Sequence, residues 1–323
     1  VQGNIFMLVV DGYNVAVSVG PDGVMLVDTG PAHMSEKVLA AIQELSIRIA
    51  ASPAPAQCAG TTCPGFAGWT SPAIHAVMNS PAPVFPLRYI VNTSSSPDRA
   101  GGNEKIAPTG IFHRGGGGAA SSFANRGDDL SAAVIAHENT LLAISAASAS
   151  PTSWPTDTYW RDSYRLHQFF NGEAILMYHI PAAHTDGDSI VFFRGSEVIH
   201  AGNIYWTTSY PLIDLERGGS IQGIIDGLNR ILDLGVAENM SQGGTWIIPG
   251  RGRLADIADV AAYRNMVTII RDRIQAMIGK GMTLEEIKQA RPTLDFDGRY
   301  GATEGEWTTD MFIDAVHASL SPE

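Results

Sequence analysis

The sequence predicts an α/β fold, because short apolar runs and longer amphipathic stretches follow one another along the chain. Mostly apolar runs of about four to eight residues, bounded by turn-forming residues, are typical of buried strands. They lie at residues 5–10, 15–19, 24–27, 87–91, 174–180, 190–193, 198–201 and 245–249. Stretches with apolar residues at helical spacing lie at residues 35–45, 128–145, 220–232, 256–278, 283–291 and 309–320. Strands interspersed with helices indicate sheets covered by helical layers.

Local signals support the first and the last of these elements. The Asp-Gly pair at 11–12 separates two apolar runs, which predicts a β-hairpin over residues 5–19. Ser35 is placed to cap the first helix. Near the other end of the chain, Thr283 and Glu286 match a capping box and predict the start of a helix.

Composition and charge narrow the classes of partner. The chain has 323 residues, 45% of them hydrophobic, which is enough for a sizeable core. Its 21 Lys and Arg residues against 33 Asp and Glu residues give a formal net charge of −12. So acidic a surface repels phosphate backbones, which argues against nucleic acid as a partner. No apolar run reaches the roughly 18 residues of a membrane-spanning helix. We therefore expect a small-molecule substrate or ligand and no membrane association.

The chain is predicted to form a single domain over residues 1–323, because no linker divides it convincingly. Residues 46–86 are rich in Pro, Ala, Ser and Gly and predict an insertion loop, and residues 279–323 predict a helical C-terminal extension. Within the loop, Cys58 and Cys63 lack C-x-x-C spacing, which favours a small disulfide over a zinc half-site or a redox pair. A disulfide would in turn favour an exported or periplasmic protein.

The stretch at 91–103 carries a dense set of polar residues at a predicted strand end, with the sequence VNTSSSPDRAGGN. Loops at strand ends often carry catalytic and metal-binding groups, because a rigid sheet positions them. The stretch is therefore a candidate site loop.

Three later loops also adjoin predicted strands. They read PAAHTDGDS at 181–189, HAGN at 200–203 and PGRG at 249–252.

Together the four loops resemble the metal-binding loops of the metallo-β-lactamase superfamily. In that family a Thr-His-x-His-x-Asp-His run supplies the first zinc ligands, and here the run from Thr93 to Arg99 reads TSSSPDR. An Asp-Thr-Gly turn precedes that run, as at 28–30 in this chain, and its Asp usually ties down neighbouring loop amides. The resemblance covers roughly residues 4–278 and implies a four-layer αββα sandwich.

The resemblance also implies a zinc site, but most of its ligand positions are changed. The seven positions that hold two zinc ions in the family read Ser94, Ser96, Asp98, Arg99, His184, Asn203 and Arg251. Only Asp98 and His184 keep a ligating side chain. Arginine is effectively always protonated, and two unit charges about 4 Å apart repel by roughly 4 kcal/mol at an effective dielectric of 20. We therefore expect no zinc and no other cofactor.

The first functional hypothesis is a hydrolase-like protein whose dinuclear zinc site is dismantled, which makes it a pseudoenzyme candidate. Hydrolysis of a small ester, lactone or lactam would then be weak or independent of metal. The catalytic candidates are His184 as general base, Ser94 or Ser96 as nucleophile, and Asp98 beside them.

Two alternatives remain open. In the first, the protein is a non-catalytic binding protein that holds a small anionic ligand with Arg99, Arg251 and Asn203. In the second, His184 and Asp98 keep one metal in a rearranged site. That site would need a further ligand from His33, His113, His137, His179 or His200.

Overall fold

The computed structural model describes residues 1–51, 85–111, 131–147, 150–240 and 243–321. Within these ranges, one sheet holds six strands in the order β1-β2-β3-β4-β5-β6. They are β1 (Ile5–Val10), β2 (Tyr13–Gly20), β3 (Gly23–Val27), β4 (Leu87–Val91), β5 (Ala133–His137) and β6 (Asp157–Tyr159). The first three strands pair antiparallel, and β3 to β6 pair parallel. The parallel strands therefore end at one common edge.

The second sheet of the described residues has five strands in the order β11-β10-β9-β8-β7. They are β7 (Ser163–Arg165), β8 (Ile175–His179), β9 (Ser189–Phe193), β10 (Val198–His200) and β11 (Trp246–Ile248). β10 and β11 pair parallel, and the other neighbours pair antiparallel.

The α-helices of the described residues flank these sheets. They are α1 (Ser35–Ala51), α2 (Pro97–Ala100), α3 (Asn103–Ile106), α4 (Glu138–Ala146), α5 (Ile221–Leu234), α6 (Ile257–Gly279), α7 (Leu284–Gln289), α8 (Leu294–Tyr300) and α9 (Thr309–Leu320). In the described ranges, no helix combines the length and the apolar character needed to cross a bilayer.

Three apolar cores separate four layers. The core between the sheets contains residues of both, among them Met25, Val91, Val191 and Phe193. The outer face of the first sheet packs against α1, and the outer face of the second packs against α5, α6 and α9. This helix-sheet-sheet-helix order confirms the predicted four-layer αββα sandwich.

The turn between β1 and β2 is the predicted hairpin. Val10 pairs with Tyr13, and the two central residues have positive φ angles, 53° at Asp11 and 81° at Gly12. Positive φ at both positions is typical of a type I′ turn, for which Asp-Gly is a favoured sequence. The turn directs Tyr13 and Asn14 towards the loops that follow the other strands.

The predicted helix over 128–145 is wrong in its first half. Residues 133–137 form β5, and α4 begins only at Glu138. All five residues of β5 are buried, because the strand lies between β4 and β6 in the parallel part of the sheet. Such strands are continuous apolar runs, which periodicity alone cannot distinguish from a buried helix. The sequence analysis also missed β6, β7 and α8, which are short.

The predicted insertion loop begins later than residue 46. α1 continues to Ala51 because its sequence contains no helix breaker, and the first proline after it is Pro53. Residues 52–84, which include Cys58 and Cys63, lie outside the described part of the chain. The loop, its disulfide and the exported location therefore stay predictions.

The C-terminal extension packs onto the helical layer beside the second sheet. Ile287, Phe312 and Val316 are fully buried in the core that also contains α5 and α6 residues. The capping box at the start of α7 is confirmed, since Thr283 N donates to Glu286 Oε2 at 2.8 Å and Glu286 N donates to Thr283 Oγ1 at 3.3 Å.

Candidate functional site

The four loops singled out in the sequence meet at the strand ends of the two sheets. Ser189 N donates to Thr93 O at 2.8 Å, which joins the loop at 181–189 to the stretch at 91–103. Asn14 N donates to Gly250 O at 3.0 Å, which joins the β1–β2 hairpin to the loop after β11. The structure therefore brings the predicted site residues into one cluster.

Helices hold the loop at 181–189 from both sides. Thr140 Oγ1, in the first turn of α4, donates to Gly187 O at 2.9 Å. Ser220 N, at the cap of α5, donates to Ala183 O at 3.0 Å. The loop that carries His184 is thus held by the first turn of α4 and the start of α5.

Arg99 fills the centre of the cluster, and its side chain is 0% exposed. Nε donates to Asn203 Oδ1 and Nη2 donates to Gly250 O, each at 2.7 Å. Nη1 donates to Asn14 O at 3.1 Å. Protein acceptors thus surround the guanidinium on all sides, as a buried arginine requires.

Two carboxylates balance the charge of Arg99. Asp28 Oδ2 lies 3.4 Å from Arg99 Nη1, and Asp98 Oδ2 lies 3.1 Å from Arg99 Nε. Asp28 also accepts from Thr93 N and Thr93 Oγ1, both at 2.8 Å, which is the loop-tying role implied for the Asp-Thr-Gly turn. Burial raises the pKa of Asp28 to about 6, and Arg99 opposes that rise. We call Arg99, Asp28, Asp98 and Asn203 the Arg99 plug.

The structure corrects the predicted ligand role of Arg99 and Asn203. The two residues are 0% and 1% exposed, and they bind each other. A ligand in the cleft has no surface of either side chain to contact. The sequence indicated the charge at position 99 but not its burial.

The side chains around Arg99 do not fit a pair of zinc ions. Arg99 brings a fixed positive charge between Asp28 and Asp98, the nearest carboxylates. The serine hydroxyls and the neutral amide beside it are poor zinc ligands. Among the described residues, no three His, Cys, Asp or Glu side chains converge as a metal site.

The histidines considered for a one-metal site make other contacts. His33 is exposed and pairs with a surface carboxylate. The rings of His137 and His179 stack 3.6 Å apart. His200 is fully buried, its Nε2 donates to a backbone carbonyl, and burial lowers its pKa to about 3. His113 lies outside the described residues. The one-metal hypothesis thus gains no ligand cluster from the described part of the chain.

A serine–histidine chain adjoins the Arg99 plug. Ser96 Oγ lies 3.0 Å from His184 Nε2, and Ser94 Oγ lies 3.3 Å from Ser96 Oγ. Ser94 is 0% and Ser96 5% exposed, so Ser96 is the more accessible hydroxyl. Burial lowers the pKa of His184 to about 4, while Asp98 opposes this shift. The imidazole is therefore neutral at pH 7, and Nε2 can accept a proton from Ser96.

Asp188 is a buried acid that the sequence analysis did not select. Thr185 N and the Ser94 hydroxyl donate to its carboxyl group. Burial raises the pKa of Asp188 to about 8, so the group is mostly protonated at pH 7. Its position in the Gly-Asp-Ser turn behind His184 was the available signal. Asn14, whose carbonyl accepts from Arg99, had no comparable signal.

Arg251 lies on the outer side of the plug. Its Cζ atom is 4.9 Å from the centroid of the Tyr13 ring and 5.9 Å from that of the Trp206 ring. The Tyr13 ring also lies 5.6 Å from Arg99 Cζ, so it is close to both guanidinium groups. Arg251 is half-buried. We call Arg251, Tyr13 and Trp206 the outer cluster.

Gly250 allows the loop after β11 to approach the plug. A Cβ atom at this position would lie 2.1 Å from Gly202 O, 2.5 Å from Arg99 Nη2 and 2.8 Å from Trp206 Nε1. We expect Gly250→Ala to lower the free energy of unfolding by about 1–3 kcal/mol, measured by urea denaturation. Gly298→Ala in α8 is the matched control. A Cβ atom there has nothing within 4 Å, so this variant should be neutral or up to about 1 kcal/mol more stable. Equal stability of the two variants would contradict the close approach.

Comparisons with known proteins found solved structures that are distantly similar to this chain. No protein-family model matches the chain, and no curated protein matches it significantly. A crystal structure of the DIM-1 metallo-β-lactamase is similar with a TM-score of 0.48 and 16% identity, covering 83% of this chain and 94% of that chain. VMB-1 is similar with a TM-score of 0.48 and 11% identity, covering 82% and 90%. TMB-1 has a TM-score of 0.47 and 12% identity, covering 82% and 91%. The fold assignment rests on the two sheets and their helical layers, and these likenesses say nothing about activity.

Proposed function

We propose that the protein is a hydrolase of the metallo-β-lactamase type in which a buried guanidinium has replaced the zinc pair. Its substrates would be small esters, lactones or lactams, hydrolysed without metal. The observation that carries the proposal is the distance of 3.0 Å between Ser96 Oγ and His184 Nε2. A hydroxyl within hydrogen-bond reach of a neutral imidazole is the basic arrangement of nucleophilic catalysis.

The chemistry then follows the pattern of acyl transfer. His184 Nε2 takes the proton of Ser96 as Oγ bonds to the carbonyl carbon of the substrate, and the same proton passes to the leaving oxygen or nitrogen. A water molecule next attacks the acyl-serine while His184 takes its proton. Return of that proton to Oγ restores Ser96 and releases the carboxylic acid.

The environment of His184 favours slow turnover. A base with its pKa lowered to about 4 is fully deprotonated at neutral pH, but it accepts a proton less readily than an ordinary imidazole. Asp98 raises the pKa of His184, although its charge is shared with Arg99 at 3.1 Å. Asp98 therefore affects the basicity of His184 through electrostatic interaction.

The test is hydrolysis of p-nitrophenyl acetate and nitrocefin with and without a chelator, on protein whose metal content is measured by elemental analysis. We expect zinc well below one equivalent and a hydrolysis rate that neither chelator nor added zinc changes. Stoichiometric zinc together with loss of activity in chelator would refute the proposal.

A second candidate function is a non-catalytic binding protein for a small anionic ligand. The observation that favours it is the outer cluster, where Arg251 makes no hydrogen bond or ion pair with any described residue. Binding of small carboxylates without turnover of any ester would distinguish it from the hydrolase.

A further inference from the structure

Four polar side chains form a continuous series of contacts from Asp188 to His184. The Ser94 hydroxyl contacts the carboxyl group of Asp188. Ser94 Oγ then lies 3.3 Å from Ser96 Oγ, which lies 3.0 Å from His184 Nε2. The four residues are at most 5% exposed, so protein groups supply most of their hydrogen bonds. We call Asp188, Ser94, Ser96 and His184 the proton chain.

The proton chain contains three hydrogen bonds, but its two hydroxyl groups supply only two protons. A serine hydroxyl donates once, whereas its oxygen can accept from two donors. The third proton therefore comes from one end of the chain, either from the carboxyl group of Asp188 or from Nε2 of His184. This choice sets the direction of every hydrogen bond between them, and only a proton on Asp188 directs the Ser96 proton at the imidazole.

The surroundings of His184 indicate that its Nε2 carries no proton. The backbone carbonyl of Leu212 interacts with the ring as a hydrogen-bond acceptor, and Nε2 already faces Ser96. The carbonyl therefore favours the neutral tautomer with its proton on Nδ1. Burial disfavours the imidazolium ion, which would hold a proton on each nitrogen. Nε2 is thus an acceptor, and the third proton must come from Asp188.

The surroundings of Asp188 favour the carboxylic acid, which can supply that proton. The residue is 1% exposed, and burial raises its pKa to about 8. Hydrogen bonds from Thr185 and Ser94 to the carboxylate oppose that rise, as does the positive charge of Arg99. A carboxylic acid can donate to a hydroxyl, whereas a carboxylate only accepts from it. Loss of the Asp188 proton thus reverses the direction of the Ser94 hydroxyl.

We propose that the carboxylic acid of Asp188 positions the nucleophile, because it donates to Ser94 and so directs the Ser96 proton at the imidazole. This role rests on the proposed function, in which that proton passes to His184 as Ser96 Oγ bonds to the substrate. Asp188 itself touches no substrate and keeps its proton throughout. When it ionises, Ser94 donates to the carboxylate, accepts from Ser96 and draws the Ser96 proton away from the base.

The kinetic test follows kcat/KM for p-nitrophenyl acetate from about pH 6 to pH 9. In the wild type we expect a fall of about tenfold above pH 8, because Asp188 loses its proton there. Asp188→Asn should stay within about threefold of the wild type at pH 7 and show no fall, since its amide donates to Ser94 at every pH. Asp188→Ala and Ser94→Ala break the proton chain and should lower kcat about tenfold with little change in KM.

Asp186→Asn is the matched control, because Asp186 is an exposed acid of the same loop, and it should keep the wild-type profile. A fall above pH 8 in Asp188→Asn as large as in the wild type would overturn the proposal, because an amide cannot ionise there. Equal losses in Asp188→Asn and Asp188→Ala at pH 7 would also overturn it, as would undiminished kcat in Ser94→Ala.

Nuclear magnetic resonance of the substrate-free protein separates this inference from the proposed function. In protein with ¹⁵N-labelled histidine, the ring signals that His184→Ala removes should show the proton on Nδ1 at pH 7. In protein with ¹³C-labelled aspartate, the carboxyl signal that Asp188→Asn removes should titrate with a pKa of about 8. Both results without turnover of any ester would refute the hydrolase and support the direction of the proton chain. A proton on Nε2, or an Asp188 carboxyl group ionised at pH 6, would refute the positioning role even in an active enzyme.

Discussion

Arg99→Ala is expected to lower the free energy of unfolding by about 3–5 kcal/mol, because it removes one partner of a buried ion pair and leaves the other behind. Asp28 would remain 0% exposed without its guanidinium, and Asn203 Oδ1 and Gly250 O would lose their shortest donors. Urea denaturation at pH 7 measures the change. Arg291→Ala removes a solvent-exposed ion pair of 3.3 Å and should cost about 1 kcal/mol or less.

Free guanidinium ion offers a sharper test of whether the Arg99 guanidinium stabilises the fold. Arg99→Ala leaves a cavity lined by acceptors for a planar cation, so guanidinium chloride at roughly 10 mM should raise the melting temperature of this variant. Sodium chloride at the same concentration should not, and neither salt should stabilise the wild type. If Arg99→Ala is as stable as Arg291→Ala, the plug has no structural role.

Local patterns in the sequence predict the α/β class and most of the strands, whereas the four-layer sandwich and the candidate site residues follow from the resemblance of the four loops. Apolar runs and turn signals placed most strands, and the hairpin at 11–12 formed as its Asp-Gly pair indicates. β5 was mistaken for part of a helix, since a short, fully buried run carries no periodicity. The four loops selected by the resemblance lie against one another in the structure.

The chemistry within the site was harder to predict, because burial and partners are properties of the folded chain. Arg99 and Arg251 are the same residue type in similar loops, yet one is 0% exposed and the other half-buried without a described acceptor. Asp188 looked like a turn residue, and only its burial raises its pKa to about 8. Residue type indicated the charge of each group, whereas the surrounding atoms decide what that charge can bind.

The Arg99 plug compensates the charge of the buried carboxylates at the site. In the described residues, Arg99 supplies one fixed positive charge to Asp28 and Asp98 and five N–H donors in a plane. The guanidinium therefore neutralises and orients groups that would otherwise be buried with uncompensated charge. The Ser96 hydroxyl contacts His184 at 3.0 Å, and the Ser94 hydroxyl contacts that of Ser96 at 3.3 Å.

Ser96→Ala and His184→Ala are each expected to reduce kcat/KM for p-nitrophenyl acetate by about 10²–10⁴, because each removes one half of the nucleophile–base pair. The double variant should be no worse than either single one, since the two groups act as a unit. Ser94→Ala should keep more activity than Ser96→Ala, because Ser94 is fully buried. Ser145→Ala and His33→Ala, at surface positions, are matched controls that should leave the rate unchanged.

The pH profile tests the role of His184 independently of any loss of folding. The base must be deprotonated, and its pKa is lowered to about 4, so kcat/KM should rise through pH 4 and be level from about pH 5 to 7. An ordinary imidazole would place that rise near pH 6.5. Circular dichroism of each variant at the assay pH confirms that the fold is retained. A rise near pH 6.5, or undiminished activity in folded His184→Ala, would remove His184 from the mechanism and with it the proposal of catalysis by Ser96.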